Sequence, residues 1–253
     1  MEVKLSAVII TLNEERNIER CLLSLRNIVD EIVVIDSFST DRTEEKCKKF
    51  GVKFIQHSFK GYATQKNFAM ESAKYDIVLN LDADEVLSEE LKKAILTAKQ
   101  NWRADGYYFN RLTNYCGKWI KHCGWYPDRK LRLVDRRKAK WGGGEVHEKI
   151  VMEKGAKTQF LPGDLLHYSY YTIGEHVKQQ RLFSDLAAKE AFKKGKRSTI
   201  FHVSINPAYT FIRKFLLQFG FLDGYYGWVI STISAKANFW KYSKLRRLNL
   251  TGS

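Results

Sequence analysis

The sequence predicts an α/β protein, a mostly parallel sheet with helices on both faces, followed by a helical extension. Two observations carry the sheet. Short apolar runs alternate with helical patterns through the first hundred residues, and near-continuous apolar strands joined by helices imply a parallel sheet covered on both sides. A third carries the extension: after Tyr168 the pattern turns helical, aromatic and basic.

Taken in order, Lys4–Thr11 (KLSAVIIT) is a β-rich apolar run ending near Asn13, which reads as the N-cap of a helix with Ile18, Leu22 and Leu25 on one face. Glu31–Asp36 (EIVVID) is the second strand. Ser39–Phe50 reads as a polar helix, with Asp41 and Glu44 spaced as a capping box and Gly51 as its stop. Val52–Gln56 is a third strand, Tyr62–Lys74 a third helix and Asp76–Leu81 (DIVLNL) a fourth strand; Ser88 caps a helix to about Gln100. Beyond Gly106, Tyr107–Leu112 and Lys130–Val134 read as strands around an aromatic, glycine-bearing loop, Tyr115–Asp128. Trp141–Gly144 (WGGG) reads as a flexible turn and Glu145–Met152 as a short strand. Helices are expected over Gly174–Lys194, Pro207–Asp223 and Gly224–Tyr242.

The 253 residues, 44% of them hydrophobic, suffice for a real core. The net charge of +15 favours anionic partners without choosing among them. The four cysteines, Cys21, Cys47, Cys116 and Cys123, have no C-x-x-C spacing, so reduced thiols are expected. No signal-peptide h-region follows Met1 and no uncharged apolar run reaches the ~18–20 residues of a membrane span. A cytoplasmic location follows as the expectation.

In open α/β sheets, ligands sit beyond the carboxyl ends of the strands. That rule gathers Thr11, Asn13 and Glu14 after the first strand, Asp36 and Ser37 after the second, and Asp82-Ala83-Asp84 after the fourth. Two carboxylates one residue apart at a strand end can aim at a hard divalent cation, Mn2+ or Mg2+, and at neighbouring hydroxyls. D-x-D alone is a weak signal; its register with the other strand ends strengthens it.

These residues resemble a family-two glycosyltransferase of the GT-A fold. The likeness lies in VIITLNEERNIERCLLSL, EIVVIDSFSTDRT and VLNLDADE, and then in Arg132-Leu133, Val146–Glu148 and His167-Tyr168 in the order found in bacterial lipopolysaccharide-core glucosyltransferases. It is strong to about residue 170 and softer after it. It implies a catalytic domain over 1–170, with a nucleotide-sugar half to about 100 and an acceptor half from 101, and an extension over 171–253. It implies a UDP-sugar donor held by Thr11, Asn13, Glu14, Asp36, Lys66, Asn67, Asp82, Ala83 and Asp84, and a metal on Asp84 and His167. Asp36 also suits a plain turn before Ser37, and Lys66 a surface position. The likeness places the catalytic carboxylate at Glu148, with Glu145 as the competitor, and a single carboxylate base implies direct displacement with inversion.

Sugars pack apolar faces on aromatic rings, which makes Trp119–Arg132 the acceptor segment. Trp125, Arg132, Trp141 and His147 are the expected acceptor contacts, with Arg129 and Lys130 available to phosphates; Trp125 suits an aromatic core equally. From Tyr168 onward stand 14 Lys/Arg against four Asp/Glu, interleaved with aromatics, a pattern that suits helices lying on an anionic membrane surface. The whole reads as an inverting hexosyltransferase using UDP-glucose on a lipid-linked or lipopolysaccharide-core saccharide, peripheral on the inner face of the cytoplasmic membrane. A nucleic-acid-binding protein is disfavoured, because no finger, helix-turn-helix or aromatic RNA-binding signature occurs. A sugar nucleotidyltransferase would carry a glycine-rich loop after the first strand, and Thr11–Asn17 (TLNEERN) has no glycine. A GT-A module that has lost catalysis is disfavoured by the intact Asp82, Asp84 and Glu148.

Overall fold

The first strand, β1 (Leu5–Thr11), lies inside the sheet, parallel to β2 (Glu31–Asp36) on one side and to β4 (Ile77–Asp82) on the other. Because side chains alternate along a strand, Leu5, Ala7 and Ile9 enter one core cluster while Val8 enters a second on the opposite face. The computed structural model describes residues 2–144 and 147–252. The chain divides into two compact units, Met1–Arg111 with Asp128–Tyr168, and Leu112–Pro127 with Ser169–Ser253.

In the first unit, α1 (Ile18–Leu25), α2 (Thr43–Lys48), β3 (Lys53–Gln56) and α3 (Tyr62–Glu71) complete the parallel part. Then come β5 (Glu85–Leu87), α4 (Glu89–Gln100), β6 (Gly106–Tyr115), β8 (Asp128–Asp135), β9 (Ala139–Gly144), β10 (His147–Met152) and β11 (Thr158–Tyr170), with β7 (Lys118–Ile120) in the second unit. The strand order is β3-β2-β1-β4-β8-β6-β11-β5. The β8 strand runs antiparallel to β4 and to β6, and β11 antiparallel to β5. Ile18, Leu22 and Leu25 of α1 and Leu91 and Ile95 of α4 cover one face; Ala69 and Met70 of α3, with Trp141 and Ile150, cover the other. Fully burying each such Leu or Ile contributes about 1.5–3 kcal/mol.

The parallel strands and the Ser88 cap, whose hydroxyl accepts from the Leu91 N–H at 3.2 Å, match the sequence reading. Several boundaries move. Asn13 does not cap a helix: it sits at φ +56°, its side-chain oxygen accepts from the Thr40 N–H, and α1 starts only at Ile18. Asp41 binds Thr43 and the Glu15 N–H in place of a capping box, so α2 is one short turn and a half. Trp141–Gly144 is not a turn but belongs to β9, paired antiparallel with β10. The 13-residue β11 was not foreseen, because Pro162 and Gly163 interrupt its strand pattern. Gly163 is required there: at φ +94°, a Cβ would fall 2.3 Å from the Leu91 nitrogen.

The second unit holds the ends of β6 and β11, β7, α5 (Ile173–Lys193), α6 (Ile200–Ile212), a π turn over Arg213–Leu217, a 3-10 turn over Gly220–Asp223 and α7 (Tyr225–Thr251). Thr172 and Glu175 form a reciprocal capping box at the start of α5. The helix expected over Pro207–Asp223 starts earlier, at Ile200, with the proline inside it, and the regular α-helix gives way to π and 3-10 turns over 213–223. Tyr115, Ile120, Val229, Ile230 and Ile233 form this unit's core. Leu112–Pro127 therefore groups with the C-terminal helices, where the sequence had assigned it to the first 170 residues. Gly227 allows α7 to pass the 3-10 turn: a Cβ there would lie 1.7 Å from the Gly220 carbonyl oxygen. All four cysteines are free thiols.

Candidate active site

The first unit brings Asp82, Asp84, Glu85, Lys66, Arg132, Glu148 and His167 together at the carboxyl end of β4. Asp82 ends β4, and the chain turns at once into β5, so the D-x-D carboxylates sit on a tight strand-to-strand turn. The Glu85 side chain, fully buried, accepts from the Asp82 N–H at 3.0 Å and closes that turn. Arg132, from β8, places one guanidinium nitrogen 2.9 Å from both Asp82 Oδ2 and Glu85 Oε1. Arg111 stands 3.6 Å from Glu85 and 2.8 Å from Asp128 and extends the ion-pair chain.

Lys66, near the start of α3, reaches Asp82 Oδ1 at 2.9 Å and Glu148 Oε1 at 3.1 Å. One ammonium thus joins the D-x-D motif to a carboxylate 66 residues further along. Burial pushes the Asp82 carboxyl upward, but Lys66 and Arg132 outweigh it and hold the group well below the ordinary carboxylate range. The Trp141 ring lies beneath both cations, 4.5 Å from Lys66 Nζ and 5.5 Å from the Arg132 guanidinium carbon. That ring is fixed by its indole N–H, which donates to Asn80 Oδ1 at 2.9 Å, and by Asn67. The Asn67 side chain accepts from the Trp141 N–H at 2.8 Å and donates to its carbonyl at 2.9 Å.

His167 follows from sheet register: it is the β11 partner of Glu85 on β5, one residue past Asp84. Its Nε2 stands 3.1 Å from Asp84 Oδ2. Two cis ligands of an octahedral ion with bonds of ~2.1 Å lie ~3 Å apart, so this oxygen and nitrogen fit a shared divalent cation. Asp82 does not join them, because both its oxygens are engaged by cations. Among the described residues no three His, Cys, Asp or Glu side chains gather as a complete metal cage.

The loops after β1 and β2 are laced together. Asp36 is fully buried and accepts from Thr11 Oγ1 at 2.9 Å and from the Ser39 N–H at 2.8 Å. Asn13 accepts from Thr40, and the Glu14 N–H donates to Thr43 Oγ1 at 2.8 Å. Burial, reinforced by the charges of Asp84, Asp41 and Asp82 and opposed by the Asn17 amide, raises Glu14 from 4.5 to about 7.

Some expected roles do not fit these positions. Arg132 and Trp141 were expected at an acceptor, yet each is only 5% exposed; Arg132 holds Asp82 from within, Trp141 backs Arg132 and Lys66, and neither offers a sugar a surface. Ala83 packs in the core. Trp125 lies in the second unit among Tyr115, Tyr170 and His176, half-buried as aromatic core. Glu145 and the His147 side chain lie outside the described residues. Sequence reasoning missed the roles of Glu85, Asn80 and Arg132. Glu85 carried a signal as the third acid of LDADE and Arg132 one as part of Arg132-Leu133, while Asn80 carried none.

Residues 6–156 match the family model described as glycosyl transferase family 2. The chain is 34% identical to an uncharacterized glycosyltransferase of Rickettsia typhi over 98% of its own length and 88% of that protein's. It is 29% identical to the lipopolysaccharide core biosynthesis glycosyltransferase LpsC of Rhizobium meliloti over 98% and 97%. It is also similar to glucosyl-3-phosphoglycerate synthase of Mycobacterium tuberculosis, crystallised with Mn2+, UDP and phosphoglyceric acid. That likeness, 22% identity over 44% of each chain with a TM-score of 0.37, is too partial to carry an argument.

Proposed function

The chain belongs to glycosyl transferase family 2, and from that premise we propose that it transfers a hexose from a UDP-sugar, UDP-glucose first, to a lipid-linked saccharide of the lipopolysaccharide-core type, with inversion. The observation that carries the chemistry is the Lys66 bridge, which sets Glu148 beside the D-x-D turn at 3.1 Å and 2.9 Å from one ammonium. Similarity to LpsC along nearly the whole of both chains supports the acceptor class.

In this reading Glu148 takes the proton from the acceptor hydroxyl as that oxygen attacks the anomeric carbon. The bond to the diphosphate breaks, and UDP departs with the electron pair. One displacement by one base inverts the centre. Lys66, already between two carboxylates, is placed to follow the negative charge as it moves to the leaving group. Asp84 and His167 would hold Mn2+ or Mg2+, and the ion when bound would neutralise charge on the diphosphate. Asp36, Thr11 and Asn13 shape the loops where a base and ribose would lie.

Calorimetry with UDP, with and without Mn2+, tests the donor half. Wild type should bind with metal dependence, and Asp84→Asn should lose that dependence. Glu148→Gln should keep UDP binding while transfer falls about 10²–10⁴-fold. Transfer at the wild-type rate in Glu148→Gln would remove the base assignment.

A further inference from the structure

We infer that the outward face of α6 is an interfacial membrane helix, seated by its side chains in the headgroup layer of an anionic bilayer. The inference deepens the lipid-linked acceptor proposed above and rests on that reading for its biological sense, but its observations are independent of the site.

None of the residues of α6 is fully buried. The half-buried positions Val203, Asn206, Pro207 and Thr210 recur at helical spacing and mark its inner side; there the Asn238 amide on α7 donates to Thr210 Oγ1 at 3.0 Å. The outer side carries Phe201, Ile205, Tyr209, Ile212 and, just past the helix, Leu216, each between 47% and 69% exposed. These positions are four, four, three and four residues apart, a single continuous stripe. The segment that follows adds Leu217, Phe219, Phe221 and Leu222, and the start of α7 adds Tyr225 and Trp228, all exposed. A soluble surface scatters such residues singly; a contiguous patch of this extent marks an interaction surface.

Charge chooses the occupant. No Asp, Glu, Lys or Arg occurs from Ser198 to Ile212, while Lys193, Lys194, Lys196 and Arg197 stand exposed just before α6 and Arg213 directly after it. An apolar stripe with cations at both ends and Tyr and Trp at its edge suits acyl chains, phosphates and the headgroup boundary together. A second copy docked by twofold symmetry would apply the same patch to itself and set two sets of these cations near one another. No helix among the described residues is long and apolar enough to cross a membrane, so the arrangement is one of lying in the surface.

The test is flotation of the full chain with vesicles of phosphatidylcholine alone or mixed with phosphatidylglycerol, at low salt and at ~1 M salt, where charge attraction is screened within ~3 Å. The variant is Phe201→Ser/Ile205→Ser/Ile212→Ser, on exposed positions that leave the fold intact, checked by an unchanged melting curve. Wild type should float with anionic vesicles and stay bound in high salt; the variant should bind at least tenfold less. Complete release of wild type by salt, with the variant equal to it, would overturn insertion in favour of plain charge attraction. No vesicle binding, with a concentration-dependent dimer abolished in the variant, would overturn it in favour of a second copy. UDP calorimetry on the same variant separates the two readings: retained UDP binding without flotation sinks only the membrane face, and flotation without UDP binding sinks only the donor site.

Discussion

Replacing Lys66 by Met keeps an apolar stem of similar length over the Trp141 ring and removes only the charge. Lys66 is 8% exposed at its side chain, and its partners Asp82 and Glu148 are 28% and 20% exposed. Deleting one member of a buried ion pair costs about 3–5 kcal/mol, because a desolvated charge loses its counter-ion. Arg132 stays on Asp82 and both carboxylates retain some solvent, which puts the expected loss at the lower end, about 3 kcal/mol. For a chain of this size that lowers the melting midpoint by roughly 6–12 °C. The pH dependence makes the argument specific. The folded Asp82 carboxyl lies below its unfolded value of 3.8, so its contribution is complete above that value and is lost as pH falls through the folded one. Lys66→Met lacks part of that contribution, so urea unfolding curves of the two proteins should stand about 3 kcal/mol apart at pH 7 and draw together below pH ~4. A gap under about 1 kcal/mol, or one that stays constant into acid, would refute the ion-pair reasoning.

Two further predictions concern stability. Glu14 has the opposite sign to Asp82: its folded value, about 7, lies above the unfolded 4.5, so the fold loses stability as pH rises from 4.5 to 7. Glu14→Gln should remove that slope and raise stability at pH 8 by up to about 3 kcal/mol, read from denaturant midpoints across pH; an unchanged slope would mean Glu14 ionises normally. Gly227→Ala drives a methyl into the Gly220 carbonyl and should cost about 1–3 kcal/mol, measured by thermal unfolding; an unaltered midpoint would show that the turn and α7 separate freely.

The parallel half of the sheet was legible because its strands are buried on both faces and read as unbroken apolar runs. Of the candidate site, the placement of Asp82 and Asp84 at a strand end was legible. What the sequence hid depended on pairing across distance. Nothing local says that Arg132 turns inward to Asp82 and Glu85, since strand alternation assigns it a face but not which face is covered. Trp141 reads as a sugar platform by type and proves to be a buried support, because Asn67 and Asn80, far off in sequence, satisfy its polar groups. Pro162 and Gly163 concealed β11, and with it the register that sets His167 beside Asp84.

The β9–β10 ribbon is hydrogen-bonded apart from the main sheet, and Trp141, bonded to Asn67 and Asn80, is the pin that fastens it. Glu148 pairs with Gly143 and Ile150 with Trp141, two rungs away, which is about 7 Å along the strand. A swing of about 10° around that pin displaces the carboxylate by about 1 Å, enough to cost on the order of 10²-fold in rate, while the strands of the sheet stay paired. Thermal robustness and the turnover proposed above are therefore separable: a variant of the ribbon should melt like the parent and still have Glu148, the proposed base, out of reach.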